Sequence, residues 1–166
     1  MNRSRIKLYG KFTITCYDCD GKIKWVDNIH NLVVQEGINH ILNVIFHDIS
    51  KASGWYIGLI KTAIVVADGD TLASHAGWTE CTEYADNRKE YTVVDATAKS
   101  ITNSASPATF VMNDGVTVKG AFICSAETGT SGILMCGAAS TQGDRAVLSG
   151  DNVNVTYTLS LADDGA

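Results

Sequence analysis

Apolar and polar positions alternate through "YGKFTITC" (residues 9–16), which sets Phe12 and Ile14 on one side and Thr13 and Thr15 on the other. A period of two predicts a half-buried strand. "YDCDG" follows, and its Asp20-Gly21 pair suits the positive φ of a tight turn. "KIKWVDNI" then returns with Ile23 and Trp25 at the same period, so the chain opens with a predicted β-hairpin. After His30 the period changes. In "QEGINHILNVIFHD", Ile38, Ile41, Leu42 and Ile45 fall at i, i+3, i+4 and i+7, the stripe of one amphipathic helix near residues 35–47. Gly37 near its start costs about 1 kcal/mol relative to Ala.

Beyond residue 50 the period stays at two. "WYIGLI", "KEYTVV", "KSITN", "ATFVM", "VTVKGAFIC", "GILMC" and "NVNVTYTLSL" are short strand-like runs separated by Gly, Asn, Asp and Ser clusters. The last run sets Val153, Val155, Tyr157, Leu159 and Leu161 against Asn154, Thr156, Thr158 and Ser160, as in a sheet with one wet face. Pro107, the single proline, is expected at a strand start or edge. The predicted fold is therefore mainly β, a β-sandwich or jelly-roll-like arrangement with one helix. No internal repeat, linker or break in composition divides it. One domain over residues 1–166 is expected, preceded by a short basic arm at about residues 1–7.

Composition narrows the function classes. The 166 residues are 45% apolar and 19% charged, a globular balance. A formal charge of −5 argues against a nucleic-acid partner, which needs clustered Lys and Arg. Arg3, Arg5 and Lys7 form the one local basic exception, suited to an acidic patch on a neighbour. No run of eighteen apolar residues occurs, so no membrane span is predicted, and the basic start leads into an alternating strand, not a signal sequence. Five cysteines without regular spacing point to reduced thiols in a cytosol.

The chemistry-bearing residues do not converge on a reaction. His75 has Asp68, Asp70 and Glu80 for partners as a base or metal ligand, but no second imidazole stands near it, and zinc needs three or four ligands. His30, His40 and His47 lie far upstream. The alternative is a long loop in which Asp and Ser satisfy local backbone groups and Trp78 anchors the chain to the core. Cys16 and Cys19 have CxxC spacing, yet they straddle a turn instead of opening a helix, and Cys81, Cys124 and Cys136 stand alone. Asp18 and Asp20 lack a calcium loop with a closing Glu. "SAETGTSG" and "STQGDRAVLSGDN" lack the order of a phosphate loop, and no GxSxG elbow occurs. The carboxylate pairs Asp68/Asp70 and Asp163/Asp164 sit in a turn and at the chain end, where solvation is expected.

The order of segments is informative where single motifs are not. "HNLVVQEGINHILNVIF" is followed by "WYIGLI", then "ADGDTLASHAGWTECTEY", then "ATFVMNDGVTVKGAFIC" and "GILMCGAAS", closing with "LSGDNVNVTYTLSL". Over roughly residues 28 to 161 this succession resembles a group of small virion structural proteins of tailed bacteriophages. The resemblance implies a β-sandwich subunit of a virus particle, similar to capsid decoration or cement proteins, assembled in the host cytoplasm and placed on the capsid exterior. The partners it implies are the major capsid protein and further copies of the chain, with a homotrimer expected. It brings no catalytic residue, cofactor or metal.

Three other readings stay open. A neck, tail or fibre-associated adaptor belongs to the same class. A carbohydrate-binding module would use Trp55, Tyr56 and Trp78 as a sugar platform. A metal hydrolase would use His75, Asp70 and Glu80.

Overall fold

The computed structural model describes residues 6–63, 65–140, 142 and 145–163. Arg3, Arg5 and Asp164 lie outside the described residues. The strands are β1 (Ile6–Tyr17), β2 (Ile23–His30) and β3 (Leu32–Val33), followed by the helix α1 (Gln35–Phe46). Then come β4 (Tyr56–Ala63), β5 (Trp78–Glu80), β6 (Lys89–Glu90), β7 (Ser100–Thr102) and β8 (Ala108–Val111). The remainder is β9 (Val116–Thr117), β10 (Gly120–Cys124), β11 (Leu134–Ala139), β12 (Ala146–Val147) and β13 (Asn152–Asp163).

Two antiparallel sheets face each other as a β-sandwich. The first has the order β2-β1-β13, and β13 pairs farther out with β7 and with β8 at successive positions. The second runs β3-β11-β10-β4, with β5 and β6 sharing the far edge of β4. Phe12, Ile14, Cys16, Val153, Val155 and Tyr157 from the first sheet meet Ile57, Leu59, Ala121, Ile123, Cys136 and Ala138 from the second in the main core. In the first sheet these are the alternate residues that the period-two pattern marks, and the residues between them form its outer, wet face.

The predicted hairpin is present. Its turn is closed by Asp18, whose Oδ1 accepts from the N–H groups of Asp20 and Lys22, and Gly21 carries the positive φ of 78°. Pro107 stands immediately before β8. The second sheet departs from simple alternation, because β10 is buried on both faces. The 65–77 segment lies over its outer face, where Phe122 packs with Val34, Ile60, Val66, Leu72, Trp78 and Leu134 in a second cluster. A central strand covered on both sides reads as an unbroken apolar run, which is what "GAFIC" is.

Three expectations are corrected. "KEYTVV" supplies only the two residues of β6, after which Tyr91 turns inward and Val93 and Val94 are left exposed. "VTVKGAFIC" is two strands, not one, parted at Val118-Lys119 where the chain moves from β12 to β4 as its partner. β5 lies inside the stretch expected as loop, with Trp78 opposite Ala63.

Candidate functional site

The stretch around His75 is a packed loop. Asp70 Oδ2 accepts from the indole Nε1–H of Trp78 at 2.9 Å and from the N–H of Ala67 at 2.9 Å. The His75 ring stacks on the Trp78 indole with centroids 3.7 Å apart, and its Nδ1 lies 3.1 Å from the Trp78 carbonyl. Glu36 reaches in from the first turn of α1, its Oε2 accepting from Leu72 N–H and Leu134 N–H. Glu80 is turned elsewhere. Both of its oxygens take hydrogen bonds of 2.7 Å from Arg88, which also donates to the Ala126 carbonyl and stacks over Phe122. The hydrolase trio is thus not assembled: Asp70 serves an indole, Glu80 a guanidinium, and His75 an aromatic face. Asp68 contributes its carbonyl, which accepts from Gln35 N–H at the start of α1.

Cys16 and Cys19 do not converge either. Cys16 is buried on the core side of β1, and Cys19 is exposed in the turn. Burial pushes the thiols of Cys16 and Cys136 up to about 11 and that of Cys81 up to about 12, and it raises Cys124 as well. Thiols so far above their ordinary range are poor nucleophiles at neutral pH. Among the described residues no three His, Cys, Asp or Glu side chains are placed to hold a metal ion. The sugar platform is also corrected. Trp78 is 4% exposed under the loop, and Trp55 is half-buried against the main core with His40 at its edge, so Trp55, Tyr56 and Trp78 do not share an open surface.

Exposed apolar surface gathers on one side of α1. Helix α1 docks on β11 by its thin side: a Cβ at Gly37 would stand 2.3 Å from the Met135 carbonyl oxygen. That contact and the half-buried Ile41 and Val44 define the inner face. Of the predicted stripe only Ile41 faces inward, and the other three residues point the other way. Ile38, Leu42, Ile45 and Phe46 are 41%, 48%, 62% and 80% exposed, and Ile49 just past the helix end is exposed as well. At Ile41 this face joins an open trough of about 310 Å³ lined by Leu8, Ile101, Leu159 and Leu161. Its floor is the core side of β1 and β13, which run on past the second sheet.

The outer face of the first sheet is rich in Thr and Asn. Thr13 stands opposite Asn28 and Thr156, Thr15 opposite Asn154, and Thr158 opposite Lys11 and Thr102. Hydroxyl contacts such as Thr13 Oγ1 to Asn28 Oδ1 and Thr158 Oγ1 to Thr102 Oγ1, both 2.9 Å, tie the rows together.

Sequence reasoning located the helix stripe but not its direction. The signal was present, because "INHILNVIF" carries apolar residues around more of the helix than one core contact uses. Nothing marked Arg88 or Asn103, single polar residues whose burial depends on partners distant in sequence. Among the described residues no helix is long and apolar enough to cross a membrane. Compared with known proteins, the chain matches no family model and no curated protein.

Proposed function

We propose that this chain is a non-enzymatic subunit of a tailed-bacteriophage virion, a capsid decoration protein that clamps neighbouring major capsid subunits. The observation that carries the assembly part is the uncovered apolar face of α1 on an otherwise well-packed sandwich. A contiguous apolar patch of that kind belongs to proteins that are covered by others. The virion part rests on the order of segments, from the glycine-containing helix through the "TLASHAGW" loop to the terminal strand. The Thr- and Asn-rich outer face of the first sheet suits a wet interface with a shell, where direct hydrogen bonds and bridging waters act together. A formal charge of −5 favours the outside of a shell over a lining that meets packaged genome.

The test is to locate and count the chain on intact particles by electron microscopy and quantitative mass spectrometry. Copies in the hundreds, spread over the shell exterior, are the expected result. A single ring of copies at one vertex replaces decoration with the neck or tail role, and absence from purified particles removes the virion reading.

A further inference from the structure

We infer that Asp114-Gly115 is a site of spontaneous backbone isomerisation, at which the Gly115 amide attacks the neighbouring carboxyl and converts Asp114 to isoaspartate. The inference does not rest on the virion reading. The sequence holds four Asp-Gly pairs, at 20–21, 68–69, 114–115 and 164–165, and the last lies outside the described residues. Such pairs are chemically open to this reaction because glycine puts no side chain in the way of ring closure. What separates the three described pairs is their folded geometry.

At Asp114 the carboxylate is folded back on the next peptide, its Oδ1 accepting from the Gly115 N–H at 2.7 Å. The carbon to be attacked is bonded to that oxygen, so nitrogen and carbon lie close to the approach of about 3–3.5 Å that marks a near-attack arrangement. The flanks hold it there. Met112 N–H donates to the Asp151 carbonyl at 2.9 Å, Asn113 N–H donates to the Glu83 carbonyl at 3.1 Å, and Val116 pairs with Val147. Between these anchors Asn113, Asp114 and Gly115 are all exposed, so water reaches the reacting groups. The other pairs are arranged differently. Gly21 turns its N–H to the Asp18 carbonyl at 3.0 Å and carries a φ of 78°. Asp68 offers its carbonyl to Gln35 N–H. Of the three, only Asp114 meets the N–H that follows it.

The step needs no co-reactant but water. With the carboxyl in its acid form, the Gly115 nitrogen bonds to Asp114 Cγ, and the hydroxyl leaves as water with the amide proton. A succinimide ring closes. Water then adds to either ring carbonyl. Attack on the side-chain carbonyl breaks the new bond and restores Asp114. Attack on the main-chain carbonyl breaks the original peptide bond, so the chain now runs through the side chain and the carboxylate sits on Cα. Nothing is oxidised or reduced, and the final mass is unchanged. The backbone gains one carbon between the Asn113 and Val116 anchors, in a loop outside both core clusters.

The test is to store the full purified chain in heavy-oxygen water at neutral pH with moderate warming, and then to map its peptides. Each passage through the ring places one solvent oxygen at residue 114, and electron-transfer fragmentation distinguishes isoaspartate from aspartate. The tryptic peptide 100–119 holds no other aspartate, so the assignment is direct. Misplacement by about 1 Å costs an oriented reaction on the order of 10²-fold, so folded Asp114 is expected to isomerise about tenfold faster than Asp20 or Asp68. In concentrated urea the three rates should converge. Gly115→Ala should slow the reaction severalfold with an unchanged far-ultraviolet spectrum, since a Cβ there meets only the Val147 carbonyl at 3.6 Å and Leu148 at 3.8 Å. Equal rates at the three pairs in the folded chain overturn the inference. So does a lead for Asp114 that persists undiminished in urea, because it would then belong to the local sequence and not to the fold.

Discussion

At the residue scale, most of the polar groups that burial leaves inside this molecule complete backbone that the strands leave unfinished, while Asp27 is held by the side chains of Ser140 and Arg145. Asn103 is the clearest. It sits 1% exposed at the gap between β7 and β8, where β13 has no neighbouring strand, and its Oδ1 accepts from Tyr157 N–H at 2.7 Å while its Nδ2 donates to the Val155 carbonyl at 3.1 Å. Asn103→Ala orphans both groups in the core and should destabilise the fold by about 2–3 kcal/mol, read as a lower urea midpoint at unchanged slope. Glu83 acts through its charge. Partial burial raises its pKa, but hydrogen bonds from Lys61, from Thr82 N–H and from the Cys81 thiol outweigh that and hold it at about 2. A depressed carboxylate contributes its full stability above its unfolded pKa near 4.5 and loses it as pH falls towards 2. The wild type should therefore exceed Glu83→Gln by about 2 kcal/mol in urea unfolding at pH 7, with the gap closing near pH 2. An equal gap at both values would mean that the charge is not the source.

At the element scale, the helix docks through an absence. Glycine inside a helix costs about 1 kcal/mol relative to alanine, so Gly37→Ala on a free helix would stabilise it. Here the added Cβ meets the Met135 carbonyl at 2.3 Å, backbone that cannot move aside. The sign should reverse, with a loss of about 1–3 kcal/mol from overpacking, measured as a drop in the thermal midpoint. The same contact explains what the sequence made legible. The apolar period located α1 and the hairpin because each follows from local spacing alone. It did not tell which side of α1 is covered, because that depends on where β11 lies, about a hundred residues later in the chain. The short hairpin at Thr97–Ser100 was missed for the opposite reason. Ala98 and Lys99 take φ of 50° and 61°, a turn that Asn-Gly would announce and Ala-Lys does not. The His75 loop was readable as a loop, with Trp78 as its anchor, yet the Asp70 carboxylate beneath that indole was not, since a hydrogen bond across eight residues leaves no periodic trace.

At the scale of the whole molecule, a decoration protein acts as a ligand of the assembled shell. If each copy binds the intact lattice and not the separated capsid subunits, occupancy stabilises the shell by linkage, about 2.7 kcal/mol per site at a hundredfold excess over Kd. Three consequences can be measured together on particles heated with a dye that reports released genome. On the proposed role, particles lacking this chain should assemble with normal dimensions. They should release their genome at a lower temperature than complete particles. Adding purified chain back should raise that temperature progressively and then saturate once all sites are filled. Saturation separates a binding effect from non-specific crowding, which gives only a few tenths of a kcal/mol and has no ceiling of this kind. Particles that rupture at the same temperature with and without the chain would exclude the proposed cementing role.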